Sequence, residues 1–258
     1  MIGAWGFRDE RQSWTWPGMP LDTKLTVRAY AVSGCVRLAI NGRTHIPRSS
    51  TNLGEESKTA IALLPTDEEG IWEALTCVNL TNFNATFEVP YQPGSITVTL
   101  HKGFGDLEPL SSISFKTAGP PVSLRLVASS LTLRRSRDDL SYVRAELLDA
   151  NGVRVECGSY SDDLRYNVTS NEPYAPPRWC APLKVSFEIV GDAELAAVGS
   201  GDPLDVSSFQ AHTRETYRGT ATAIIRPGKT GAQPSAGLVK VAASAKGMHS
   251  ASISIRIE

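Results

Sequence analysis

Paired carboxylates are the residues here best suited to chemistry, since two acids held about 5–9 Å apart on rigid elements can cleave a glycosidic bond. The candidates are Asp67-Glu68-Glu69, Asp138-Asp139, Asp162-Asp163, and Asp202 with Asp205. All fall in polar stretches, where acidic residues are ordinarily solvated turn formers, and nothing nominates one as acid and another as nucleophile. His45, His101, His212 and His249 stand alone, without a His-x-x-x-His pair to hold a metal, and each reads as a surface or loop residue. A hydrolase elbow of the Gly-x-Ser-x-Gly type does not occur. Gly228-Lys-Thr230 resembles the end of a phosphate-binding loop, but Ala223 stands where that loop requires glycine. No catalytic residue, metal site or cofactor is therefore expected.

The aromatic and sulfur-bearing residues say more. In Trp14-Thr-Trp16-Pro-Gly18 two tryptophans lie two apart, so an extended chain points both to one side. They could stack on sugar rings, plug a β-sandwich, or pack on a neighbouring domain; burial is the commoner fate of tryptophan. Cys35, Cys77, Cys157 and Cys180 lack CxxC spacing, which disfavours zinc, and they allow three full disulfide pairings among which sequence does not choose. A Cys157–Cys180 bridge would clamp the polar stretch between them; the other reading is two unrelated thiols. Asn79, Asn84 and Asn167 head Asn-x-Thr triplets, acceptors for glycosylation only in a secreted eukaryotic chain.

Such residues are positioned by strands. Period-two alternation runs through Leu25, Val27 and Ala29, then Val36, Leu38 and Ile40 before the hairpin dipeptide Asn41-Gly42. It continues in Phe87 and Val89, Ile96 to Leu100, and Ile113 with Phe115. Thr117-Ala-Gly-Pro-Pro121 interrupts it, because consecutive prolines cannot continue a central strand. The rhythm then resumes at Leu124, Val143, Val185, Thr220, Val239 and Ile253. Glu55–Leu64 is the one short stretch open to a helical reading. Strands with turn signals every 8–12 residues and no sustained helical period predict two antiparallel β-sandwiches, residues 1–118 and 119–258. A TIM barrel or Rossmann sheet has no room in this pattern.

The chain's 258 residues carry a formal net charge of -1 and are 41% hydrophobic and 21% charged. That content builds a core, and near-neutrality argues against nucleic acid or an anionic membrane as partner. The longest aliphatic run, Ala60 to Leu64, is too short to span a membrane, and the first residues lack the basic and apolar regions of a signal peptide.

Several segments together resemble a known family. Ile2-Gly-Ala-Trp5, Ser13-Trp-Thr-Trp-Pro-Gly18, Leu25-Thr-Val-Arg-Ala-Tyr30, Val36-Arg-Leu-Ala-Ile-Asn-Gly42 and Ala85-Thr-Phe-Glu-Val-Pro-Tyr-Gln-Pro-Gly94 are similar to the β-sandwich that follows the catalytic barrel in β-galactosidase-like enzymes of glycoside hydrolase family 2. Leu147-Leu-Asp-Ala-Asn-Gly152, Ala197-Val-Gly-Ser-Gly-Asp-Pro203, Ser208-Phe-Gln210 and Tyr217-Arg-Gly-Thr-Ala-Thr-Ala-Ile-Ile225 are similar to its C-terminal immunoglobulin-like domain.

The resemblance implies a non-catalytic accessory region for carbohydrate metabolism, packed on a barrel that this chain lacks, within a retaining glycosidase. Trp5, Trp14 and Trp16 would then face the barrel or a neutral sugar, and the parent protein would be extracytoplasmic or secreted. A free-standing carbohydrate-binding or adhesive module is the alternative. Two insertions depart from the family pattern, about residues 43–84 and 158–179.

Overall fold

The computed structural model describes residues 10–44, 83–103, 108–156, 177–228 and 237–258, with the backbone of 61–65 and 72–77. Their regular elements are strands, apart from one 3-10 turn at Arg178–Cys180. No helix among them is long and apolar enough to cross a membrane. Two compact units divide the chain, Met1–Thr117 and Ala118–Glu258.

The first unit contains β1 (Lys24–Tyr30), β2 (Cys35–Ile40), β3 (Arg43–Thr44), β4 (Ile61–Pro65), β5 (Trp72–Cys77), β6 (Asn84–Pro90), β7 (Ser95–His101) and β8 (Ser111–Lys116). β1 and β6 pair as an antiparallel ribbon. The larger sheet runs β4-β5-β2-β7-β8, with β3 folded back on β2. Alternation dictates the packing: Val36, Leu38 and Ile40 of β2 meet Ala85, Phe87 and Val89 of β6 in one buried cluster. Between β2 and β3, Asn41 and Gly42 take φ of 51° and 78°, the left-handed pair that a two-residue hairpin demands. Asn41 also accepts from Ser95 N–H at 2.8 Å and donates to Pro93 O at 3.0 Å, so one turn residue fixes two segments.

Within the first insertion, Ile61–Leu64 belongs to a strand and not to a helical stripe. β4 and β5 pair in continuous register from Ile61↔Thr76 to Pro65↔Trp72 and widen the large sheet. β5 meets β2 through Cys35↔Cys77 and Val36↔Thr76.

The second unit contains β9 (Pro121–Ala128), β10 (Thr132–Leu133), β11 (Ser141–Asp149), β12 (Lys184–Val190), β13 (Ala193–Gly199), β14 (Thr213–Glu215), β15 (Thr220–Pro227), β16 (Gly237–Ala245) and β17 (Ala251–Ile257). One sheet runs β13-β15-β11-β9 and the other β10-β17-β16-β12-β14. Val143, Ala145, Ala221, Ala223 and Ile225 of the first face Val185, Phe187, Val239, Val241 and Ile255 of the second across a single core. The turn at Arg218-Gly219 is pressed onto the chain: a Cβ on Gly219 would lie 1.7 Å from Val155 O.

Candidate functional site

Trp14 is 3% exposed and sits in the core of the first unit. Its indole N–H donates to Gln92 O at 2.9 Å, and its ring meets Tyr91 edge-on with centroids 5.4 Å apart. Thr117 fastens the same corner, donating to Trp14 O at 2.9 Å and accepting from Gly94 N–H at 3.0 Å. The segment before β1 is thus a plug: an irregular stretch whose indole fills the sandwich. Burial also pushes the Tyr91 phenol up from its ordinary range, the largest influence on it.

Trp16 is half-buried against the same cluster, with the Arg11 guanidinium 5.4 Å above its ring. Trp14 therefore offers no face to a sugar, whereas Trp16 is partly exposed beside Arg11. Trp5 lies outside the described residues.

The carboxylates serve as structural acceptors. Glu146 projects from the β11 face opposite Ala145 and is 2% exposed, covered by Arg125 at 2.7 Å and Arg144 at 2.8 Å. Burial works against its charge, but the two guanidiniums outweigh it and hold the carboxyl below its ordinary range. Glu194 is partly exposed; partial burial opposes its charge, but Arg226 and Arg137, the latter at 2.6 Å, hold it below its ordinary range. Asp149 collects N–H groups from Gly119, Asn151 and Val153, which overcome its own desolvation and lower it too. Asp139 accepts from Arg134 N–H at 2.8 Å, the leading cause of its lowered value.

Asp202 caps Leu204 N–H at 2.9 Å within its own loop. Asp67-Glu68-Glu69 and Asp162-Asp163 lie outside the described residues. Among those described, no group of three or more His, Cys, Asp or Glu could hold a metal ion.

Of the histidines, His212 and His249 are exposed and His45 lies outside the described residues. His101 departs from the surface or loop reading: it ends β7 at 2% exposure, its ring 3.1 Å from Thr99 Oγ1.

The arrangement that sequence reasoning missed centres on Arg214 in β14. This side chain is 1% exposed and reaches Asp205 Oδ2 at 2.5 Å, the Ser207 hydroxyl and carbonyl, and Val198 O at 2.9 Å. Ser207 lowers Asp205 most, through its hydroxyl and its N–H, with Arg214 adding to it. The β13–β14 loop is thereby pinned, and it also returns Phe209 O to Val198 N–H at 2.8 Å. Held this way, the loop presents Val206 (99% exposed), Phe209 (63%) and Leu204 (62%) to solvent. An arginine inside a strand alternation carries no sequence mark of such a role; the only hint is its acidic partner nine residues upstream.

Cys180 is disulfide-bonded, and so is Cys35. Cys157 lies outside the described residues, as do Asn79 and Asn167. Asn84 opens β6 half-buried, its Oδ1 accepting from Thr86 Oγ1 at 3.3 Å.

Comparison with known proteins places this architecture. Residues 180–254 match the glycoside hydrolase family 2 C-terminal domain 5. A β-galactosidase of Bacteroides ovatus is 25% identical over 184 residues, covering 70% of this chain and 18% of its own length. A solved family 2 glycosyl hydrolase from Bacteroides cellulosilyticus DSM 14838 matches 96% of this chain at 25% identity and TM-score 0.66, using 26% of its own length. A β-glycosidase from Bacteroides vulgatus shares the fold at TM-score 0.65 and 17% identity, over 95% of this chain and 24% of its own. The chain thus spans about a fifth to a quarter of the relatives it matches. Domain match, relative and solved structures agree: residues 180–254 are similar to a C-terminal domain of glycoside hydrolase family 2, the all-β chain as a whole is similar to part of larger family 2 enzymes, and its described residues form β-sheets and no barrel of alternating strands and helices.

Proposed function

We propose that the chain is a non-catalytic accessory region of a family 2 glycosidase, packing on and supporting a catalytic barrel. One observation carries this reading: among the described residues, every carboxylate with a resolved shift accepts hydrogen bonds from donors of its own unit, which hold it below its ordinary range. Glycoside hydrolysis needs the opposite in one of its two acids, a carboxyl kept protonated to reach the leaving oxygen. The exposed apolar side chains of the pinned β13–β14 loop support a protein neighbour over a sugar. Val206 and Leu204 give no aromatic platform or polar fork for hydroxyls, the Arg214 guanidinium lies 5.0 Å over the Phe209 ring, and a loop already ordered loses little entropy on docking.

Two measurements test the proposal. The pure chain is expected to release no chromophore from an aryl β-galactoside above the solvent rate; turnover abolished by one carboxylate substitution overturns the reading. Titration calorimetry against a family 2 catalytic barrel is expected to give binding that weakens at least tenfold in Val206→Asp. Absence of any heat or co-elution with the barrel counts equally against support in trans.

A further inference from the structure

We infer that Cys35 and Cys77 form a cross-strand disulfide that fastens the inserted hairpin β4–β5 to the first sandwich. Cys35 is disulfide-bonded and 3% exposed. Its register partner on β5 is Cys77. Residues directly opposite in an antiparallel pair have Cα atoms about 4.5–5.5 Å apart, inside the roughly 4.4–6.8 Å that a disulfide spans. Two of the three possible pairings leave Cys35 bound to a cysteine of the second unit. The register favours the third.

The purpose of the bond follows from the topology. β4 and β5 hold each other through five register pairs, Ile61↔Thr76 to Pro65↔Trp72. Their attachment to the sandwich is far thinner: among the described residues, Cys35↔Cys77 and Val36↔Thr76 are the two pairs that join β5 to β2. A two-pair ladder is too short to hold a hairpin firmly, and a hairpin alone is at best marginally stable in water. The covalent link sits at one end of that short ladder and keeps β5 beside β2 when its hydrogen bonds open.

Formation of the bond balances in the usual way. The Cys77 or Cys35 thiolate attacks a disulfide oxidant, giving a mixed disulfide; the second thiolate displaces it, and the oxidant leaves as a dithiol with two electrons and two protons. The chain is thus matured where such an oxidant is maintained.

Peptide mapping of the intact, unreduced chain is the first test. The peptide bearing Cys35 is expected joined to the one bearing Cys77. Recovery of Cys35 joined to Cys157 or Cys180, or as a free alkylated thiol, overturns the assignment. Hydrogen exchange of the full chain tests the fastening: Cys77→Ser is expected to speed exchange in Ile61–Pro65 and Trp72–Cys77 by about thirtyfold or more, with Val143–Leu147 unchanged. If that variant does not fold, the same exchange is read after reduction and alkylation of the folded wild type. Unaltered protection of β4–β5 in a chain that has lost the bond refutes the fastening role.

Discussion

The two units reach stability by different routes. The first closes its sandwich with an aromatic plug, Trp14 against Tyr91, tied down by neutral hydrogen bonds from the Thr117 hydroxyl and to the Gln92 carbonyl. The second surrounds its core with partly buried ion pairs: Glu146 between Arg125 and Arg144, Glu194 between Arg137 and Arg226, Asp205 with Arg214. An apolar plug fails when its volume is lost and is indifferent to protons. A buried carboxylate–guanidinium set fails when either partner is removed or when acid neutralises the carboxylates. The same architecture therefore carries two different vulnerabilities.

Trp14→Ala separates them most sharply. Removing a buried indole costs about 3–5 kcal/mol, and exchange in β2 and β6 is expected to accelerate while β11 and β15 keep their protection. Equal loss in both units would erase the contrast. Next comes Arg214→Ala, which strands Asp205 and frees the β13–β14 loop, at about 3 kcal/mol. Exchange is expected to rise from Val198 to Thr213, and circular dichroism melts to shift down, with β2 and β6 unaffected.

Gly219→Ala tests backbone contact in place of charge. A Cβ 1.7 Å from Val155 O at φ 72° cannot be accommodated without moving one chain, at a cost of roughly 2–3 kcal/mol.

Acid gives a smaller and graded effect. Glu146, Glu194, Asp149 and Asp205 all have folded values below their ordinary ones, so the unfolded chain binds protons first as pH falls. Their stabilisation is complete above the ordinary values of 4.5 for glutamate and 3.8 for aspartate, and drains away as pH falls through the lowered ones. Below about pH 4.5 exchange protection of β11 and β15 is expected to decline relative to β2 and β6; parallel loss would contradict the contrast. The least effect belongs to Arg28→Ala: its pairing with Glu10 at 2.9 Å is partly solvated, and loss of it should move the melt by no more than about 0.5 kcal/mol.

Much of this fold was legible because alternation and turn chemistry are local. Val36, Leu38 and Ile40 followed by Asn41-Gly42 predict a strand and a hairpin, and both are present. Residues Val143, Ala145 and Leu147, or Ile253, Ile255 and Ile257, leave equally little choice. The hairpin β4–β5 was not legible: Ile61–Leu64 is apolar without alternation, a run that fits a strand or a buried helix segment alike.

Chemistry was harder to read for a related reason. Arg125, Arg144 and Glu146 occupy outward positions of two strands, and only the register Glu146↔Arg125 reveals that the acid is covered. Arg214 looks like an ordinary polar strand residue until the loop from Asp205 folds over it. Long-range register, which period-two patterning leaves open, decides both.

One further consequence lies in the rims of the sheets. The second unit ends its sheets with strands that resist extension: β10 has two residues, β14 has three, β13 is interrupted by a bulge between Leu195 and Ala197, and β9 begins at a proline. In the first unit β8 is a regular, six-residue margin, exposed at Ser111 through Ser114 and paired with β7 without interruption. Its outer row of N–H and C=O groups is a template for a strand from another molecule. During synthesis or refolding at high concentration, chains should therefore capture one another along β8, so that aggregation begins in the sandwich with the aromatic plug and leaves the charged one intact.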